Sequence, residues 1–256
     1  MIKNFFCSLL LIFVLTACNV SFPKETLEQD AVNLIKQETQ KDVSVFKVGS
    51  TLYLDVCFED LVTNDTEKIT KIYETLQKIV SNIVRVPLSS DANINFVVVS
   101  AFDPKYQTML RLFENIDDIK LYSHQYISRE DYSERQLMEF EGPKFTKEVI
   151  DNKYDLTKEE YVARLIISQL NIASRTNPFL ATLIQTLDLK FLNIENNVIY
   201  YTASRKIDNK EIKILLKSML EKEVIKNIKK YKLFSIKSAI LKDGENNIVL
   251  DVPVNI

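Results

Sequence analysis

Apolar positions along the chain change period several times, and the changes divide it into segments. Leu27, Ala31, Leu34 and Ile35 recur at helical spacing and predict a helix from Glu25 to Gln40. Alternation then predicts a strand from Ser44 to Val48, a turn at Gly49 and a second strand from Thr51 to Phe58. Asn64 and Glu67 have the spacing of a capping box, opening a helix through Ile83 whose apolar stripe includes Ile69, Ile72, Tyr73, Leu76, Ile79, Val80 and Ile83. A strand from Asn93 to Ala101 follows; the Asp103-Pro104 turn then either returns the chain as Thr108 to Phe113 or caps and starts a helix, and the order of the C-terminal part favours the strand.

The C-terminal part repeats this order. Leu189 to Asn193 and Val198 to Ala203 predict a hairpin around Glu195-Asn196-Asn197. Asp208 and Glu211 then cap a helix running to Lys229, with Ile207 and Ile212 as a hydrophobic staple. Strands Leu233 to Leu241 and Asn247 to Val252 flank a turn at Lys242-Asp243-Gly244. Setting Leu52-Tyr53-Leu54-Asp55 against Val198-Ile199-Tyr200-Tyr201 gives the expected architecture: an α+β fold of two related β-β-α-β-β units, residues 43–115 and 189–256, with a helical insertion at 116–188. Within the insertion, Ser128 with Asp131 and Thr157 with Glu160 are helix-starting pairs, and Asn177-Pro178 opens another helix with Phe179, Leu180, Leu183, Ile184 and Leu187 on its buried face.

The first residues follow different rules. Lys3 precedes an almost unbroken apolar run from Phe5 to Leu15, too short for a mature membrane span, and small residues follow it, as in a secretory signal peptide of residues 1–17. Leu15-Thr16-Ala17-Cys18 resembles the lipobox of bacterial lipoproteins at all four positions. That resemblance implies cleavage before Cys18, a diacylglyceryl group on its thiol and an acyl chain such as palmitate on the new amino terminus. Residues 18–42 then form a lipidated start, a spacer and a short helix expected to stand the body off the bilayer. Asn19 after the cysteine points to the outer membrane if two membranes are present, and otherwise to the cell membrane. The resemblance ends there; the 239 residues from Cys18 onward carry no family signature.

Composition narrows the chemistry. With 33 basic against 35 acidic residues, the chain offers no field to hold nucleic acid. Three isolated glycines, Gly49, Gly142 and Gly244, make no phosphate-cradling loop, so neither a nucleotide nor another cofactor is expected. The single histidine, His124, leaves no histidine pair for a metal. Cys7 leaves with the signal and Cys18 takes lipid, so Cys57 has no disulfide partner and is expected to pack in the strand core. The pairs Asp117-Asp118 and Glu159-Glu160 point in different directions and read as helix-start charges rather than an acid and base. The basic runs 210–222 and 226–232 read as solvated helix faces.

One cluster stands out as a candidate binding surface: Tyr122, His124, Tyr126, Arg129, Asp131 and Arg135, aromatic and mixed-charge residues around a helix entrance. The expectation is a non-enzymatic envelope lipoprotein that binds another envelope protein or helps an assembly. The alternatives are a carboxylate hydrolase of envelope polymers, which requires two carboxyls in a cleft, and a small-ligand-binding lipoprotein, which requires an apolar pocket.

Overall fold

The structure is a computed structural model that describes residues 22–142, 151–174 and 178–255. The lipobox residues Leu15, Thr16, Ala17 and Cys18 and the helix start at Asn177 lie outside the described residues. The fold is α+β, with seven helices and two sheets, of five and four strands, among the described residues. The chain divides into two compact units, one ending at Met109 and including Glu141–Lys153, the other formed by Leu110–Phe140 and Tyr154–Ile256. The helical stretch between the two strand-rich blocks thus folds mostly with the second block.

In the first unit, α1 (Leu27–Thr39) packs on α2 (Thr66–Leu88) and on β1 (Val43–Val48). Leu27, Ala31 and Ile35 are fully buried there, so α1 belongs to the core instead of forming the expected stalk. β2 (Thr51–Cys57) pairs antiparallel with β1 and parallel with β3 (Phe96–Asp103). The parallel step requires a crossover, which α2 supplies. The α2 cap is Asp65, one residue after the expected Asn64: its carboxylate accepts from the Glu67 and Lys68 amides at 2.9 and 3.3 Å. The helix continues five residues past Ile83, because Val86 and Pro87 are also buried.

The second unit takes up most of β4 (Thr108–Asn115), which confirms the strand expected there, followed by α3 (Ile116–Ser123), α4 (Arg129–Glu134) and β5 (Leu137–Glu141). After α5 (Lys158–Ser174) and α6 (Pro178–Leu187) come β6 (Lys190–Glu195), β7 (Val198–Thr202), α7 (Lys210–Tyr231), β8 (Ser238–Lys242) and β9 (Ile248–Pro253). The sheet order is β6-β7-β8-β9, with β7 and β8 parallel and the outer pairs antiparallel. Asn196 and Asn197 both take positive φ, 53° and 65°, as a two-residue type I′ hairpin turn demands. Asn209, not Asp208, caps α7 and accepts from Glu211 and Ile212. Leu233 and Ile236 are buried but precede the strand, which starts only at Ser238.

The element order β-β-α-β-β occurs twice, and each copy has a buried aspartate at or just past the end of its third strand. Asp103 accepts from the Leu61, Lys105 and Tyr106 amides, and Asp243 from those of Glu245 and Asn247. Phe102 pairs with Cys57 just before the first, and Lys242 pairs with Thr202 just before the second. With these aspartates set level, Leu54 matches Ile199, one residue off the sequence match. A one-residue slip moves side chains to the opposite face.

Cys57 departs from expectation: it is exposed at the end of β2. Partial burial, and then the charge of Asp103, push its thiol above the ordinary range, so it carries little thiolate.

Candidate binding surface

The candidate surface is built by two short helices and the turn between them. Asn115 caps α3, its side-chain oxygen accepting from the Asp117 amide at 2.9 Å. The helix ends in a Schellman motif: the Tyr126 amide donates to the Leu121 carbonyl, the Gln125 amide donates to that of Tyr122, and Gln125 takes the left-handed conformation at φ 60°. Ser128 then caps α4, accepting from the Asp131 amide at 3.1 Å, the pairing expected from the sequence. These caps direct Tyr122, His124, Tyr126 and Arg129 outward, all exposed, Tyr126 by 76%. The Tyr122 ring stacks on Tyr132 with centroids 4.7 Å apart, and His124 lies 6.1 Å from Tyr126.

Two members of the sequence cluster are placed differently. Arg135 is only 9% exposed and turns inward, where it donates to Asp118 Oδ1 at 2.7 Å and to Asp131 Oδ2 at 3.1 Å. Asp131 also accepts from Lys230 of α7 at 2.6 Å. Burial raises the Asp131 carboxyl, but the hydrogen bonds from Lys230 and Arg135 outweigh it and hold the group below its ordinary range. Arg135 is buried and Asp131 half-buried, and the two tie the surface to the unit's interior.

Beneath the hairpin lies a polar network for which the sequence offered little signal. Asp118 Oδ2 accepts from the Tyr231 hydroxyl at 2.8 Å, and the Tyr161 hydroxyl donates to the Arg135 carbonyl. The Tyr161 and Tyr231 rings meet edge to face, and the Arg135 guanidinium lies over the Tyr231 ring. Farther along, Gln169 donates to the Glu134 carbonyl and Asn227 to Gln169, so α5 and α7 both hold α4. Glu114 at the end of β4 accepts from the Tyr132 hydroxyl at 2.9 Å. Burial, reinforced by the charge of Asp118, pushes the Glu114 carboxyl up to about 7, against the hydrogen bonds of Tyr132 and Gln136. The Asp118 carboxyl is also raised by burial, with Tyr231 and Arg135 opposing.

As expected, Asp117 and Asp118 diverge, the first exposed and the second buried. Among the described residues, no cluster of three or more His, Cys, Asp or Glu is placed to hold a metal, and no helix is long and apolar enough to cross a membrane. Glu114 and Asp118 are raised acids, but both are sealed under the hairpin, and the partners they engage are residues of their own unit. In the first unit, a wide groove of about 530 Å³ is lined mainly by the start of α1, Lys24 to Gln29, with Val45 and Lys47 of β1 opposite. Comparison with family models, curated proteins and solved structures yields no match to this chain.

Proposed function

We propose that this chain is a lipid-anchored envelope protein, acylated on Cys18, that acts by binding another envelope protein through the α3–α4 hairpin and not by catalysis. The observation that carries the reading is the contrast within the hairpin. Tyr122, His124, Tyr126 and Arg129 are exposed, while the backbone under them is capped at three points and braced by a buried network of charges. Tyr and Arg lose little entropy on binding when they are already oriented, which is why such residues concentrate the energy of protein interfaces. The sealed positions of Glu114 and Asp118 argue against the hydrolase alternative, because an acid or base must reach its substrate. The lipobox supplies the anchor, and membrane attachment then requires no apolar span of the mature chain.

The alternative of small-ligand binding requires an apolar pocket, and the groove between Lys24–Gln29 and Lys47 is lined mostly by polar side chains. Cross-linking in intact cells followed by mass spectrometry separates the two readings, comparing the native protein with Cys18→Ala and Tyr126→Ala. One defined envelope protein, captured by the native form and lost from both variants, is the expected result. Capture that persists undiminished in Tyr126→Ala would refute the hairpin as the contact surface.

A further inference from the structure

Resting on the acylation of Cys18 proposed above, we propose that the end of the first unit formed by Phe22, Leu88 and Ser89 lies directly against the phospholipid bilayer. Phe22 is fixed to this end: its amide donates to the Ser89 carbonyl at 3.3 Å, and it bridges in parallel to Ser90. Two residues on, the Lys24 amide donates to Asp91 Oδ1 at 2.8 Å. The entering chain is therefore held against the last turn of α2. From Cys18 to Phe22 is a step of four residues, which can reach at most about 14 Å however it is arranged. Because α1 is packed into the unit's core, no helical stalk adds to that distance. A lipidated Cys18 sits at the headgroup level, so the Phe22 end must sit within the same short span of the interface.

The chemistry of this end suits that position. Leu88 is 40% exposed, an apolar side chain on a helix terminus at this end. The exposed ions around it balance, Lys24 and Arg85 against Glu25 and Asp91, so contact needs no particular lipid charge. The outer flank of α2 is the competing surface. It exposes Ile69 and Tyr73 as well as Glu67, Lys71, Glu74 and Lys78, so surface chemistry does not separate flank from end, and the reach of the tether does. The 23 residues of α2 rise about 33 Å, which places Thr66 beyond the tether's reach when the helix stands away from the membrane.

The test uses the full lipidated chain, purified from membranes and reconstituted into phosphatidylethanolamine–phosphatidylglycerol vesicles containing a nitroxide-headgroup lipid. In a Cys57→Ser background, a fluorophore is attached at Leu88→Cys, at the neighbouring Ser89→Cys or at Thr66→Cys, all exposed positions. Mass spectrometry first establishes the acylation of Cys18; its absence sinks the anchoring reading itself and this inference with it. In the acylated protein, quenching several-fold stronger at 88 and 89 than at 66 is expected. Equal or stronger quenching at 66, or none at 88 and 89, overturns the membrane-facing end while leaving the anchor intact.

Discussion

Glu114 is a carboxyl that the fold prefers uncharged, and its replacement by glutamine isolates that preference. Glu114 is 6% exposed and its carboxyl is pushed from 4.5 up to about 7, chiefly by burial, while Asp118, Tyr132 and Gln136 are the groups that bear on it. Below pH 4.5 the group is protonated in both the folded and unfolded chain, and its contribution is fully present. As pH rises toward 7, the unfolded chain releases the proton and the folded chain retains it, so stability falls, and the loss levels off above the folded value. The separation corresponds to about 3 kcal/mol at an order of magnitude. Glu114→Gln stays neutral at every pH and keeps an oxygen to accept from the Tyr132 hydroxyl. The variant should therefore gain on the native protein by about 3 kcal/mol between about pH 4 and about pH 8. Asp118 titrates in both proteins, so its own contribution largely cancels in the difference. The assay is urea unfolding across that range, followed by far-ultraviolet circular dichroism, with the difference in unfolding free energy plotted against pH. A difference that stays flat from acid to alkaline pH would refute the claim that the buried carboxyl carries the linkage, whatever its size.

Three further outcomes follow from the same geometry. Arg135→Met leaves Asp118 and Asp131 without their shared guanidinium and should lower stability by about 3–5 kcal/mol in urea unfolding, with Asp118→Asn plus Arg135→Met recovering part of the loss. Gly244→Ala puts a methyl group 2.7 Å from the Ser204 carbonyl oxygen, a backbone atom that cannot swing aside, and should lower the thermal midpoint by an amount equivalent to about 1–3 kcal/mol. Cys57 should be the one thiol that reacts with maleimide in the processed, lipidated chain, slowly at neutral pH and faster in alkali because its thiol is raised; a second reactive thiol would show Cys18 unacylated.

The strand and helix framework was legible where local chemistry agrees with packing. The Gly49 and Asn196-Asn197 turns and the Ser128 cap depend on short-range signals, and the structure has them where the residues indicate, whereas the return strand at Thr108 followed only from the repeated element order, because Asp103-Pro104 locally suits a helix start as well. The two displaced caps, Asp65 and Asn209, show the limit of that signal: in each case the next residue also has a capping oxygen, and only the entry direction of the chain selects between them. The role of α1 was misread because its apolar stripe fits a stalk or a core helix equally well, and periodicity does not name the surface that receives it. The hairpin surface was partly legible, since aromatic and charged residues at a helix entrance are visible in a string of letters. Its buried bracing was not. Glu114, Asp118, Tyr161, Tyr231 and Lys230 are far apart in sequence and meet only through tertiary contacts. The available hint was that Tyr161 and Tyr231 occupy apolar positions of helices, where a buried hydroxyl needs a partner.

The burial of α1 also bears on how the protein tolerates shortening. Deleting everything ahead of the first strand would remove Leu27, Ala31 and Ile35 and uncover the surfaces of α2 and β1 that they fill. A chain cut at Asp42 should then aggregate or be degraded, while one beginning at Phe22 retains the core formed by the described residues. A protease that clips between α1 and β1 would destabilise the first unit, because the helix it severs fills that unit's core.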